Sequence, residues 1–338
     1  MKSKDIAIKK SPKPGIKAPM PKWVEPMLAS LISQPFDGKD WLFEVKWDGV
    51  RAIAFIEKGT LRLQSRNLKD MTFQYPELRD GARAAKARTA ILDGEIIAFD
   101  EKGRPSFETL QSRINLQDRP AIREMEKRIP VVYEIFDVLY LDGYDLTSLP
   151  LEERRKILSS VAQPDKHWKL SEVVENKGIA FFEEIKKLGL EGIVAKRKNS
   201  KYYQGSRGHG WLKAKTVGRQ ECVVGGFTEG TGYRRGYFGA LLLGLYEKDR
   251  LIYVGHCGTG FNDDMLALLS AKLRELETPV RPFADPVKAN QPAHWVRPEL
   301  VVEIEFIEWT RDGKMRTPAF KGIRYDKDPR ECKREIAY

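Results

Sequence analysis

Phe43-Glu44-Val45-Lys46-Trp47-Asp48-Gly49-Val50-Arg51 is the stretch on which the fold turns. Its first half has the apolar–polar alternation of a strand, in which side chains point to opposite faces. Glu44, Lys46 and Asp48 then share one face. Gly49 allows a turn, and Ala52 to Glu57 reads as the partner strand that follows. A lysine between two carboxylates fits a salt-bridged surface strand as readily as a reactive amine, so the motif does not decide by itself.

Four further stretches lie downstream in the same style. Leu92-Asp93-Gly94-Glu95 ends a hydrophobic strand with an acidic turn. Glu134-Ile135-Phe136-Asp137 sets an aromatic ring and two carboxylates inside a β run. Glu191-Gly192-Ile193-Val194-Ala195-Lys196 repeats the scheme of carboxylate, glycine and lysine. Trp211-Leu212-Lys213-Ala214-Lys215 puts two lysines on one face of a strand. Around them the pattern predicts strands over Trp41–Lys46, Ala90–Phe99, Val131–Leu141, Gly192–Lys196 and Trp211–Lys215. It predicts a surface helix over Leu151–Val161, behind Pro150, and another over Ile179–Leu188, stopped by Gly189. Mixed strands and helices of this kind indicate an α+β domain built on antiparallel sheets, spanning 23–216.

A second pattern, 217–338, begins near Val217. Short strands over Glu221–Phe227, Phe238–Tyr246 and Leu251–His256 precede one helix. Asn262 suits its N-cap, and Leu266, Leu269, Leu273 and Leu276 form its apolar face. A long strand over Leu300–Thr310 follows a Pro-rich loop. Short strands with one inserted helix suit an OB-fold barrel. No internal repeat is visible.

The net charge of +11 and pI of about 9.3 favour a polyanionic partner, nucleic acid first. Residues 1–22, rich in Lys and Pro, read as a disordered basic tail that is either solubilising or attracted to phosphate. They lack the apolar region of a signal peptide, and no apolar run approaches the roughly 20 residues of a membrane span. A soluble cytoplasmic protein without a membrane partner is expected. Cys222, Cys257 and Cys332 form no CxxC pair, and the four histidines are dispersed, so all seven read as packing or surface residues. No G-x-x-x-x-G-K-[ST] occurs, so a P-loop is not the nucleotide site.

Taken in order, the five stretches resemble the nucleotidyltransferase superfamily of ATP-dependent DNA ligases, RNA ligases and mRNA capping enzymes. Lys46, Asp48, Gly49 and Arg51 match motif I. Arg66 in Ser65-Arg66-Asn67 matches motif Ia; Asp93, Gly94 and Glu95 match motif III; Phe136 matches motif IIIa. Glu191, Gly192 and Lys196 match motif IV, and Lys213 and Lys215 match motif V. Arg324-Tyr325-Asp326-Lys327 resembles motif VI of the terminal OB-fold. Within the superfamily the chain is most similar to the ligase domain of bacterial ligase D. Phe238-Gly239-Ala240-Leu241-Leu242-Leu243-Gly244, Gly255-His256-Cys257-Gly258-Thr259-Gly260-Phe261 and Phe320-Lys321-Gly322-Ile323-Arg324 carry that likeness. The length leaves no room for the polymerase or phosphoesterase domains often fused in that family, so no end-remodelling activity is expected.

The resemblance implies an ATP-dependent DNA ligase acting in repair, non-homologous end joining included. Lys46 would take AMP from ATP, pass it to a 5′-phosphate, and a 3′-hydroxyl would displace it. Glu44 would position the nucleoside and Phe136 would stack on adenine. Arg51, Arg66, Lys213 and Lys215 would neutralise phosphate, and Arg324 and Lys327 would close over the triphosphate. Glu95 and Glu191 would hold Mg²⁺ or Mn²⁺, since hard cations prefer oxygen ligands.

A lysine with an ordinary pKa is about one part in 2,500 free amine at pH 7, and lowering its pKa to 7 asks for about 4.6 kcal/mol. Glu44 and Asp48 on its face would oppose that, unless a metal offsets them. The substrate would be duplex DNA with nicks or ends, bound by a monomer at the bacterial nucleoid through sequence-independent phosphate contacts. Arg234 and Arg235 in a Gly- and Tyr-containing turn are candidates for such contacts. Recruitment by a Ku-like end-binding protein stays open. Two alternatives compete. An RNA ligase or capping enzyme shares the chemistry, and the ligase-D-like terminal segment argues against it. A non-catalytic DNA-binding OB-fold protein would not fill every catalytic position.

Overall fold

The computed structural model describes residues 15–335 apart from 84, 115 and 290, with the backbone alone described at 81–83 and 209. In chain order the first part carries strands β1 (Ile16–Lys17), β2 (Leu28–Leu31), β3 (Gly38–Val45), β4 (Val50–Glu57), β5 (Thr60–Ser65) and β6 (Thr89–Ile97). Helices α1 (Phe107–Gln111) and α2 (Arg119–Arg128), strands β7 (Val132–Leu141) and β8 (Tyr144–Asp145) and helix α3 (Leu151–Val161) follow. The part closes with β9 (Trp168–Leu170), β10 (Val174–Asn176), α4 (Gly178–Lys187), β11 (Gly192–Arg197) and β12 (Arg207–Lys215).

Among the described residues these strands form two sheets. One runs β1-β8-β7-β6-β4-β5, with β9 beside β7; the other runs β10-β3-β11-β12-β2. Pairing is antiparallel except for β7–β9 and β12–β2. Ile53, Phe55, Ile91, Phe136 and Leu139 of the first sheet meet Trp211 of the second in a shared core. Helix α4 covers the outer face of the second sheet with Phe182 and Ile185. Helix α3 covers the first with Ile157 and Leu158, so it is a packed helix with one wet side.

Three sequence expectations change here. Ala52–Glu57 is not the partner of Trp41–Lys46. Strand β4 pairs with β5 and β6, while β3 belongs to the other sheet. Alternation within a strand shows which face is buried, not which neighbouring strand it pairs with, so the sequence could not assign either partner. Residues 46–49 are therefore a crossover between sheets. Gly49 makes it possible: a Cβ there would lie 2.2 Å from the carbonyl oxygen of Ile96. Next, Asp93-Gly94-Glu95 is no turn. It sits inside β6, where the register slips between Asp93 and Gly94 against β7, a bulge that re-aims the side chains. Last, the disordered tail expected over 1–22 does not hold for its final residues. Residues 1–14 lie outside those described, but β1 pairs with β8, and the Ala18 N–H donates to the Gly143 carbonyl at 3.0 Å.

The second part holds β13 (Gly218–Glu229), β14 (Phe238–Glu247), β15 (Arg250–Cys257), α5 (Asp263–Glu275), β16 (Glu277–Thr278), β17 (Ala293–Val296), β18 (Val301–Phe306) and β19 (Ala319–Ile323). They form the OB-fold sheet β15-β14-β13-β17-β16, with β18 joining β13 to β19. The Asn262 side chain caps α5 by accepting the Met265 N–H at 2.8 Å, and Leu266, Leu269 and Leu273 are buried in the barrel core. All three cysteines are buried and unbridged. The strand expected over Leu300–Thr310 stops at Phe306. Beyond it the turn around Gly313 (φ 74°) folds the chain back, so that Thr310 bonds Lys314 at 2.8 Å. Among the described residues no helix is long and apolar enough to cross a membrane.

Candidate active site

Strand pairing delivers the central lysine. Val45 is paired with Ile193, and the Lys46 N–H donates to the Gly192 carbonyl at 2.8 Å. That contact places Glu191, the residue before Gly192, against the lysine side chain: Nζ lies 2.5 Å from Glu191 Oε1. Among the described residues Glu191 is the one carboxylate within 4.0 Å of this ammonium. The flanking carboxylates line the same cleft but have other partners. Glu44 is buried and pairs with Lys196 at 2.7 Å and Arg155 at 3.6 Å. Asp48 pairs with Arg219 of β13 at 2.9 Å. The opposition expected from Glu44 is thus absorbed elsewhere, and Glu191 is the dominant carboxylate. Burial pulls the Lys46 ammonium down, but Glu191, with Glu303 and Asp48 behind it, outweighs burial and holds it above the ordinary lysine value.

The floor of the cleft is aromatic and cationic. Phe136 has the Lys196 ammonium 3.9 Å and the Arg51 guanidinium 4.5 Å from its ring centre, and Trp211 edge-on at 6.1 Å. Glu44 Oε1 is buried here without a hydrogen-bond donor. An unmet buried acceptor beside an aromatic ring is a fit for the amino and ring groups of a purine.

Arg51 was expected to neutralise phosphate. It lines the cleft, where its Nε and Nη2 form a fork to Asp93 at 2.6 and 2.7 Å, and Asp93 also accepts from the Tyr202 hydroxyl at 2.7 Å. Arg51 is thereby held against Phe136, its charge already compensated.

Glu95 lies in β6 opposite Arg51. Burial, helped by Glu191, outweighs Arg51, Lys46 and Arg324 and pushes its carboxyl up to about 7. Glu95 and Glu191 both line the cleft. Among the described residues no three His, Cys, Asp or Glu gather as metal ligands. Glu95 lacks a close cation among the described residues, whereas Glu191 has Lys46 at 2.5 Å. Burial pushes the Glu191 carboxyl up, but Lys46, Arg219 and Lys215 outweigh it and hold it below the ordinary carboxylate value. Two hard carboxylates on one cleft still fit Mg²⁺ or Mn²⁺, which take one or two carboxylates and complete their shell with water and substrate phosphate.

The cations of the far wall come from both parts of the chain. Lys213 and Lys215 project from β12 and line the cleft with Arg66, Arg207 and Arg324. Burial, with Lys215 adding to it, lowers Lys213 to about 8. Arg324 is forked onto Asp326 at 2.8 Å through both Nε and Nη2, and lies 3.1 Å from Glu303. Lys327 does not line the cleft; it lies 3.8 Å from both Glu221 and Glu331. The barrel is clasped to the first part by Asn67 Nδ2 on the Asp326 carbonyl, Gln111 Nε2 on the Ile323 carbonyl and the Asp48–Arg219 pair. Arg234 is tied to the carbonyls of Gly239 and Gly258, whereas Arg235 is exposed.

Sequence reading passed over Arg155, Trp211, Arg219, Glu303 and Glu335 as site residues. Trp211 opens the stretch that supplied Lys213, so a signal was present. Arg219 and Glu335 fall in no motif, Glu335 at the end of a mixed-charge run behind Lys333 and Arg334.

The chain matches the family model of the ATP dependent DNA ligase domain over residues 26–215, and that of the ATP dependent DNA ligase C terminal region over 234–327. It is 37% identical over 326 residues to the multifunctional non-homologous end joining protein LigD of Pseudomonas aeruginosa, covering 94% of this chain and 37% of that protein. It is 36% identical over 304 residues to a DNA ligase of Methanothrix thermoacetophila, covering 86% of this chain and 52% of that one. The chain thus spans between about a third and a half of the length of these relatives. A structure of mycobacterial DNA ligase D complexed with ATP and MES superposes with a TM-score of 0.68 at 33% identity, over 92% of this chain and 98% of that one.

Proposed function

The chain belongs to the ATP-dependent DNA ligases, and from that membership we propose that it seals 5′-phosphate/3′-hydroxyl nicks or breaks in duplex DNA through a lysyl-AMP on Lys46 and a DNA-adenylate. The observation that carries the reading is the placement of the Lys46 ammonium. It lines one cleft with Glu95, Glu191, Lys213, Lys215 and Arg324 and lies 2.5 Å from Glu191. That grouping supports reading Lys46 as the nucleophile, the two carboxylates as the seat of a metal and the cations as the triphosphate clamp.

In the first step the neutral Lys46 amine attacks the α-phosphorus of ATP. The N–P bond forms as the bond to the bridging oxygen breaks, pyrophosphate leaves with the electron pair, and the amine gives up its proton. Phe136 and the unmet Glu44 oxygen receive the adenine. Lys213 and Lys215 screen the phosphates as point charges, and Arg324 adds a fork once it is released from Asp326. AMP then passes to the 5′-phosphate of the nick, releasing the lysine, and the 3′-hydroxyl attacks that phosphorus and expels AMP. A divalent cation at Glu95 and Glu191 would offset their charge on Lys46 and that of the α-phosphate. Mg²⁺ or Mn²⁺ fits that role.

The adenylation domain would span 23–216 and the OB-fold domain 217–338, with the hinge at Val217-Gly218, between β12 and β13. Likeness to LigD supports a role in end joining. Action at the bacterial nucleoid as a monomer, with a Ku-like end-binding protein as a candidate recruiter, belongs to the same proposal. Incubation with ATP and Mg²⁺ should add the mass of AMP to the chain, and nicked duplex DNA should be sealed. A chain that takes GMP instead, or seals only RNA, overturns the reading.

A further inference from the structure

Glu335 covers the two β12 lysines to which the ligase reading gives the phosphates. Its Oε1 is 2.6 Å from Lys213 Nζ and its Oε2 is 2.9 Å from Lys215 Nζ, with Arg207 at 3.8 Å. Two oxygens spanning two ammonium groups is the geometry of a phosphate contact. The strap that brings it there is built. Cys332 is buried, and its carbonyl accepts the Tyr246 N–H at 2.7 Å. The Gln220 side chain, also buried, then takes the strap from both sides: Nε2 donates to the Lys333 carbonyl at 3.0 Å and Oε1 accepts the Glu335 N–H at 3.1 Å. The lysines hold the Glu335 carboxyl down at about 2 although burial pushes it up.

We propose that Glu335 is a built-in stand-in for pyrophosphate: it neutralises Lys213 and Lys215 when no polyphosphate is bound, yields to the tail of ATP, and reseats once pyrophosphate has left. This rests on the ligase reading given above for the same cleft. A single carboxylate carries one negative charge, whereas a polyphosphate tail carries several, so the exchange favours ATP and pyrophosphate over ligands without such a tail. AMP has no phosphate beyond the α position and leaves Glu335 seated. Reseating also competes with pyrophosphate, and so disfavours reversal, in which pyrophosphate attacks the lysyl-AMP phosphorus, breaks the N–P bond and regenerates ATP.

The test compares the wild-type chain with Glu335→Gln and Glu335→Asp. Binding of inorganic pyrophosphate, ATP and AMP is measured by calorimetry, alongside the ATP KM of lysine adenylylation. Removing the charge should tighten pyrophosphate and lower the ATP KM by roughly three- to tenfold, the range of one competing charge-assisted contact, with AMP unchanged. Glu335→Asp keeps the charge and should return toward wild type. Unchanged or weaker pyrophosphate binding in Glu335→Gln overturns the inference, weaker binding marking Glu335 as a residue that positions the lysines. Calorimetry needs no turnover. A chain that never forms the AMP adduct therefore sinks the ligase reading separately, while tighter pyrophosphate binding would still support the stand-in.

Discussion

At the scale of single residues, Lys46 is governed less by its sequence neighbours than by Glu191. Glu44 is neutralised by Lys196, and Asp48 by Arg219. Lys46→Ala should abolish both the AMP adduct and nick sealing, and it should lower the melting temperature as well, because Glu191, 3% exposed, loses its 2.5 Å counter-charge. Any residual sealing by that variant means that another nucleophile acts. The pH dependence has a definite sign. The reactive form is the free amine, and Glu191 holds the ammonium above the ordinary value. Single-turnover adenylylation should therefore climb about tenfold per pH unit through the neutral range, until the pKa is passed. The apparent pKa should differ between Mg²⁺ and Mn²⁺. A flat profile, or one indifferent to the metal, removes the proposed role of the cation beside Glu191.

At the scale of elements, buried ion pairs fix what apolar packing leaves free to slide. Arg154 of α3 and Asp137 of β7 are both fully buried and joined at 2.7 and 2.8 Å, and Arg154 also donates to the carbonyls of Leu149 and Ser200. Asp137→Ala leaves a buried guanidinium without its counter-charge and should cost about 3–5 kcal/mol in urea unfolding. A loss below 1 kcal/mol would show that water or Tyr202 takes over the cation. Much of this level was legible beforehand. Leu151–Val161 is the α3 range, and Asn262 caps α5. Helix α2, capped by Asp118, went unread because its sequence is mostly charged and its buried face consists of Ile122. The bulge at Asp93-Gly94 left no trace in the sequence either, since register is a property of two strands.

At the scale of the molecule, the barrel lies closed over the cleft and brings Arg324 to its wall. Arg324→Ala should lower adenylylation from ATP by at least tenfold and spare sealing of a pre-adenylylated nick, because the proposed contact is with a triphosphate absent from that step. Equal loss in both assays would place Arg324 in DNA contact instead. The net charge of +11 leads to a second expectation: affinity for nicked duplex should fall linearly with log salt and be nearly independent of sequence.

The sequence by itself determined the chemical inventory. Lys46, Glu95, Phe136, Glu191, Lys213 and Arg324, read in order, pointed to one cleft, and all six line it. It could do so because each functional group sits in or directly beside a short strand whose local pattern survives in one dimension. Partnership was decided only in three dimensions. That Glu191 rather than Glu44 faces Lys46, that Asp93 holds Arg51, and that Glu335 covers the two β12 lysines all depend on which strands pair and how the barrel docks. Coulomb interactions act through space between residues far apart in the chain, and no local spacing encodes them.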